Sequence, residues 1–488
     1  MPAWLVTLSV VLVAAAVALW AARRVLRRSA QRTVLEFRAR LDRYKLVASG
    51  RVKAELLADP IVGRAVDEAA REHRLPRARV ERQVEEYIDE IVPFFNVLSY
   101  YKLGFNLSKL LTRLFYRISV EYQDSAALGR IPKRDVVLYQ MNHRSNMDYV
   151  VVTYVLAQVV SISYAVGEWA RTWPLEYVFK SFGSYFIRRK FREPLYHLVL
   201  ERYVQLITRH RVTQGIFPEG GLSRDGRLGT AKIGLLDYIV RTLEDPAFEG
   251  DLWLVPVAIN YDRVLEDGTL TRELIVGAPR PTRLGQLWGW ISFAGWNALQ
   301  LLAGQRHRYG RVAVNFATPI SVRGWLGEQA PGLLALPRAE RLPHIQRLAD
   351  EVLARIGAVI PVTPVPFAAA GLLSFPATVI PRDRLLERLE ELRDQLRGFN
   401  ARLVRGELPV EEVWDRALRT FRARRWVVEE GATVIILPNA RPLLQYYANS
   451  IAHLLPEAVR WDLTPAAGVD PTMPRLAGRS ENRQTKSP

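Results

Sequence analysis

Between residues 135 and 320 the chain alternates short apolar runs rich in β-formers with longer stretches of helical periodicity. The runs are DVVLYQM (135–141), SISYAV (161–166), SYFIRR (184–189), GIFPEG (215–220), LWLVPVAIN (252–260) and RVAVNFATPI (311–320). Between them, 194–210 carries Leu195, Leu198, Val199, Tyr203, Leu206 and Ile207 in a helical pattern. Strands alternating with helices argue an α/β unit with a largely parallel sheet. Such sheets collect their ligands beyond the carboxyl ends of the strands. In the fifth run, Pro256 is expected to interrupt the strand.

The flanks read differently. Residues 31–120 look helical, with Val80, Val84, Tyr87, Ile88 and Ile91 forming one apolar stripe that starts after Pro76 and stops before Pro93. Another helix is expected at 64–74. Downstream, 383–397 reads as a helix capped by Asp383 and stopped by Gly398, with Leu385, Leu386, Leu389, Leu392 and Leu396 on one side. The remainder to about 456 looks mostly helical, and 466–488 has the composition of a disordered tail. The expected domains are therefore an anchor (1–30), a helical region (31–125), the α/β domain (126–325), a mainly helical C-terminal region (326–460) and the tail (461–488).

Residues 3–22, AWLVTLSVVLVAAAVALWAA, carry no charge, and RRVLRR follows at once. Twenty apolar helical residues just span a bilayer. The basic residues come after the apolar stretch, whereas a secretory signal carries them before it. The positive-inside bias then puts the N-terminus outside and the bulk of the chain on the cytoplasmic side of the cell membrane. A helix buried in the protein or lying on the membrane surface, or a cleaved signal, are the other readings of this segment. Trp288–Gly304, seventeen uncharged residues with three tryptophans, suits either a helix at a membrane interface or an ordinary buried helix.

Charge narrows the partners. With 68 Lys and Arg against 50 acidic residues, a net +18, the chain favours a polyanion. No nucleic-acid-binding motif is present and the basic residues are spread widely, which leaves a membrane surface, a phosphorylated substrate or an acidic carrier. There is no cysteine, so disulfides, thiolate nucleophiles and Cys-based zinc sites are excluded.

Four blocks carry candidate chemistry. In NHRSNMDY (142–149), His143 and Asp148 are five apart, roughly 140° from each other on a continuous helix at about 100° per residue. They meet only if His143 lies in a strand-to-helix turn and Asp148 in the first helical turn. The carboxylate would then fix the tautomer and leave the other ring nitrogen basic. A solvated turn histidine beside a helix-start carboxylate fits the same spacing. No GxSxG nucleophile is present, because Gly221-Leu-Ser223-Arg-Asp-Gly226 has the wrong spacing. His143 is therefore expected to activate a hydroxyl of the substrate rather than one of the enzyme.

The second block, FPEGGLSRDGRLGTAKIGLL (217–236), offers glycines beside Arg224, Arg227 and Lys232, which suits a phosphate or a plain charged turn. It is a Walker A near miss, with Arg227-Leu228 where Lys-Ser/Thr would stand. The third, GSYFIRRKF (183–191), ends in Arg188 and Arg189, a pairing equally suited to a solvated face. In the fourth, LVPVAINYDRV (254–264), Tyr261-Asp262-Arg263 follows a strand and says little alone.

Together and in this order the blocks resemble the glycerol-3-phosphate acyltransferase family, whose members carry H-x4-D, G-x-x-F-x-R-R, F-x-E-G-x-R-S-R and V-P-V. ELLADP (55–60) and QYYANSIAHLL (445–455) are also similar to longer members, so the resemblance covers about 35–456. It implies a mixed sheet flanked by helices and, by position, His143 as general base with Asp148 orienting it. It assigns Gly183, Phe186, Arg188, Arg189, Glu219, Gly220, Ser223 and Arg224 to the glycerol phosphate, and Val255, Pro256 and Val257 to the acyl-donor region. No metal or cofactor is implied beyond acyl-CoA or acyl-carrier protein as co-substrate. The implied activity is transfer of the acyl group to the sn-1 hydroxyl of glycerol 3-phosphate, giving lysophosphatidate at a phospholipid membrane. Asn146 stands where the family commonly has a second His, and Leu222 where it has Arg. The latter leaves lysophosphatidate and dihydroxyacetone phosphate as other acceptors. The readings from other classes are a silent lipid-binding homologue and a thioesterase or phospholipase.

Overall fold

The structure, a computed structural model, describes residues 49–95, 104–156, 162–171, 175–188, 191–272 and 309–455. The 3–22 segment, Arg189, Trp288–Gly304 and the 466–488 tail lie outside the described residues. Among the described residues no helix is long and apolar enough to cross a membrane.

The centre is an eight-stranded sheet: β1 (Arg117–Tyr122), β2 (Val136–Met141), β3 (Ser163–Gly167), β4 (Tyr185–Ile187), β5 (Gln214–Ile216), β6 (Leu252–Tyr261), β7 (Arg311–Phe316) and β8 (Ile320–Ser321). Their order is β1-β7-β6-β2-β5-β3-β4, with β8 also on β6. The sheet is mixed and mostly parallel, as expected. β6, β2, β5, β3 and β4 run the same way, while β7 and β8 oppose β6. Strands covered on both faces need apolar side chains at nearly every position, and β2 and β6 are buried along almost their whole length.

Pro256 does not interrupt its strand, contrary to the sequence reading. In a strand, a residue's N–H and C=O point to the same side. The Pro256 carbonyl accepts from Ala317 N at 2.9 Å, so its missing N–H faces that flank too. There β6 changes partner, from β8 at Trp253–Leu254 to β7 from Val257 onward. No ladder bond is lost at that gap.

Among the described residues four helices, Ser49–Leu57, Pro60–Glu72, Arg77–Ile91 and Phe105–Phe115, precede the sheet. The expected stripe of the third is buried, and it packs on the Pro194–Arg209 helix with Tyr87 edge-on to Tyr196 at 5.3 Å. After β8, the wholly buried Pro364–Leu373 helix is surrounded by Arg382–Gly398, Val410–Ala423 and Arg441–Asn449. Two details differ from expectation. Pro381 rather than Asp383 caps the 382–398 helix, which includes Gly398. This region also holds a three-stranded antiparallel sheet from Val379–Pro381, Val427–Glu430 and Thr433–Ile436.

Candidate active site

Because five strands run the same way, their carboxyl ends share one edge, and the residues singled out by the first three blocks emerge there. His143 follows β2 and Arg188 follows β4; Glu219 to Arg224 follow β5. Val255, Pro256 and Val257 instead lie inside β6, buried in the middle of the sheet.

His143 sits in the turn after β2, and Asp148 lies in the first turn of the Met147–Leu156 helix. Their side chains meet, with His143 Nδ1 2.9 Å from Asp148 Oδ2. The same oxygen accepts from the Arg144 and Ser145 backbone N–H groups at 2.7 and 3.0 Å. Asp148 Oδ1 accepts from the Tyr261 hydroxyl at 2.5 Å. Four donors thus surround a carboxylate that is 0 % exposed, which offsets the cost of burying it without a cation at contact. With Nδ1 donating to Asp148, Nε2 is the nitrogen left to take a proton. The imidazole is itself 2 % exposed and stacked on Phe217 at 4.0 Å, with Tyr149 edge-on at 5.5 Å. A cleft of about 330 Å³ lies elsewhere, between Asp59 and Arg202, and none of the predicted residues lines it.

The Gly-rich loop after β5 is tied to this histidine. Glu219 accepts from His143 N at 2.8 Å and from Gly229 N at 2.7 Å, and Ser223 N donates to the His143 carbonyl at 2.9 Å. Burial pushes the Glu219 carboxyl up, and those two N–H groups pull it back. Its carboxylate braces the backbone on either side of the loop. The Ser223 hydroxyl donates to the Arg227 carbonyl at 2.7 Å. Gly220 and Gly226 have φ of +70° and +88°, and a Cβ on Gly226 would lie 1.8 Å from the Tyr446 carbonyl oxygen. The Arg224 and Arg227 side chains are exposed, and Leu222 packs against the core.

Arg188 is bound to a residue the sequence blocks did not include. Its Nε donates to Glu90 Oε1 at 2.7 Å, and its Nη2 binds Glu90 Oε2. Gly183 has φ +81°, the left-handed turn that leads into β4, and Phe186 is fully buried in that strand.

Sequence reasoning also missed Tyr261, Glu266 and Arg144. Tyr261 stands at the carboxyl end of β6, the edge where ligands gather, which was the available signal. Glu266 accepts from the Ser145 hydroxyl at 2.7 Å and from Asn146 N at 3.2 Å, and burial pushes its carboxyl up to about 7. Arg144, 3 % exposed, binds the Gly226 carbonyl and lies 5.3 Å over the Tyr446 ring.

Comparison with known proteins assigns the chain. Residues 125–260 match the acyltransferase family model, and 296–458 match that of the glycerol-3-phosphate acyltransferase C-terminal region. A glycerol-3-phosphate acyltransferase of Actinobacillus succinogenes is 28% identical over 412 residues, covering 82% of this chain and 49% of the relative. One from Aeromonas hydrophila is 27% identical over 416 residues, with the same coverages. The chain belongs to the glycerol-3-phosphate acyltransferase family. It spans about half the length of these acyltransferase relatives. A crystal structure of the 1-acyl-sn-glycerophosphate acyltransferase of Thermotoga maritima is 20% identical, with a TM-score of 0.29, over 52% of this chain and 80% of that one.

Proposed function

We propose that this chain is a membrane-associated O-acyltransferase that moves a fatty acyl group from acyl-CoA or acyl-carrier protein to the sn-1 hydroxyl of glycerol 3-phosphate. The observation that carries this reading is His143 Nδ1 held on Asp148, which frees Nε2 as a general base. Nε2 takes the hydroxyl proton while the oxygen attacks the thioester carbonyl carbon, forming a C–O bond and a tetrahedral oxyanion. Collapse breaks the C–S bond, and the departing sulfur receives the proton from the imidazolium. The Ser223 hydroxyl in the Gly-rich loop donates to the Arg227 carbonyl rather than to an imidazole nitrogen, which favours direct transfer over an acyl-enzyme. Membrane association on the cytoplasmic side rests on the uncharged 3–22 segment with its basic flank and on the net +18. His143, Asp148 and the cations beyond β4 and β5 are the residues assigned to this chemistry; glycerol 3-phosphate gives lysophosphatidate.

The test incubates purified protein in phospholipid vesicles with each donor and with glycerol 3-phosphate, lysophosphatidate or dihydroxyacetone phosphate, measuring thiol release and identifying the lipid. Thiol release that requires glycerol 3-phosphate and yields lysophosphatidate is the expected result. Release without any acceptor would make the chain a thioesterase, and a preference for lysophosphatidate would trace to Leu222 in place of Arg.

A further inference from the structure

Where the Arg77–Ile91 helix ends against the edge of the sheet, one carboxylate gathers cations from two adjacent strands. Glu90 Oε1 is 2.7 Å from Arg188 Nε and 2.8 Å from Arg171 Nη1, and its other oxygen binds Arg188 Nη2. Arg171 follows the short helical turn at the carboxyl end of β3, and Arg188 follows β4 directly. The strands are neighbours and parallel, about 4.8 Å apart, so both arginines leave the sheet side by side on the edge that carries His143. Lys180 Nζ donates to the Asp89 carbonyl at 3.0 Å and is paired with Glu176 at 3.2 Å.

Burial divides the cluster. The Glu90 side chain is 5% exposed, whereas those of Arg171 and Arg188 are 32% and 28% exposed. The carboxylate is a floor and the guanidinium groups are a rim, carrying one positive charge in excess. Arg188 is held further by aromatic rings, 4.7 Å from Phe191 and 5.6 Å from Tyr196, and its backbone N–H donates to the Tyr196 hydroxyl at 2.9 Å. Two like charges brought this close repel, and a shared carboxylate behind them lets both stay put with their outer N–H groups turned away from it. A planar fork fixed in this way suits the oxygens of a phosphate monoester.

We propose that Arg171 joins Arg188 in seating the phosphate of the acceptor, and that Glu90, contributed by the N-terminal helices, is the positioning residue that sets both. This rests on the acyl-transfer reading above. Arg171 and Glu90 belong to none of the four sequence blocks. β3 and β4 lie two and three strands from β2, about 10 and 14 Å, so the pair stands along the same carboxyl edge as His143.

The experiment uses the full chain in vesicles and two independent readouts. Calorimetric binding of glycerol 3-phosphate reports on the seat without turnover, and steady-state kinetics separate acceptor from donor. Glu90→Gln and Arg171→Gln should each weaken acceptor binding and raise its KM by about tenfold or more, with kcat and the donor KM within about twofold. Arg171→Lys should recover part of the loss. Glu90→Gln should add less than about twofold to an Arg188→Gln background, because it acts through that arginine. If Glu90→Gln is too unstable to purify, the more exposed Arg171 carries the test alone. Unchanged acceptor binding in Arg171→Gln overturns the proposal, as does tighter binding in Glu90→Gln, which would mean the carboxylate competes with phosphate. A wild type that binds glycerol 3-phosphate through these residues but does not acylate it sinks the catalytic reading and leaves the seat standing. A wild type that acylates it while binding ignores both substitutions does the reverse.

Discussion

The Tyr261 hydroxyl donates to Asp148 Oδ1 at 2.5 Å across 113 residues of chain, from the end of β6 to the carboxylate that holds His143. Burial and the adjoining carboxylate raise the Tyr261 hydroxyl well above its ordinary range, which favours the protonated, donating form. Tyr261→Phe keeps the ring and removes one of the four donors on Asp148. We expect about 1.5–3 kcal/mol lower stability by chemical denaturation, from loss of a hydrogen bond to a charged group, and a kcat reduced by about tenfold. Unchanged turnover would confine Tyr261 to packing.

His143→Ala should cost at least about 10²-fold in kcat, the usual contribution of a general base. Asp148→Asn retains the shape of the side chain and loses the acceptor that fixes the ring's tautomer, so it should also cost at least about 10²-fold. Both are read from steady-state kinetics with saturating donor. If either variant keeps more than a tenth of wild-type turnover, proton abstraction is not the task of this pair.

Gly226→Ala places a methyl group on the Tyr446 carbonyl in a backbone of φ +88°. Strain of this kind costs on the order of 1–3 kcal/mol before the clash itself is counted. Folding stability from denaturant titration should fall by at least that much, and proteolysis should reach the 217–229 loop sooner than in wild type.

Burial holds Glu266 at about 7 against an ordinary 4.5. Between those values the folded chain keeps a proton that the unfolded chain has released. This contribution to stability is therefore whole below about 4.5 and is lost as pH rises through about 7. The gap amounts to roughly 3 kcal/mol at about 1.4 kcal/mol per unit. Wild type should lose stability relative to Glu266→Gln between about pH 5 and pH 8, measured by urea denaturation at both. Parallel curves for the two proteins would remove Glu266 from the balance.

Leu222, which stands where the family pattern has an arginine, is half-buried and packs against the core. Leu222→Arg should lower the KM for glycerol 3-phosphate. No change, with lysophosphatidate preferred by wild type, would mark a different acceptor.

The central sheet was readable because strands covered on both faces become unbroken apolar runs, as in VVLYQM and LWLVPVAINY. β1, RISVEY, was not, because it lies at the sheet edge with exposed charged positions and resembles the helical stretch before it. The 427–436 hairpin was also read as helix, although Gly431, at φ +58°, marks its turn. His143 and Asp148 were legible because five residues suffice to bring them together. Tyr261 was marked only by its place at the end of β6, and Glu90 by nothing: each is tied to a partner about a hundred residues away, 113 for Tyr261 and 98 for Glu90, and local pattern does not name that partner. Glu90 is harder still to see, since it lies beside an apolar stripe and resembles the solvated acids around it.

The contact between Gly226 and Tyr446 bears on how this molecule can be divided. The loop that braces His143 rests on the Arg441–Asn449 helix, where Asn449 Nδ2 also donates to the Asp225 carbonyl at 2.8 Å. An expression fragment cut after β8 would retain every residue of the four blocks and still lack the wall against which that loop is moulded. A working unit must therefore include the Arg441–Asn449 helix, which is part of the mould of the loop beside His143 rather than an appendage to it.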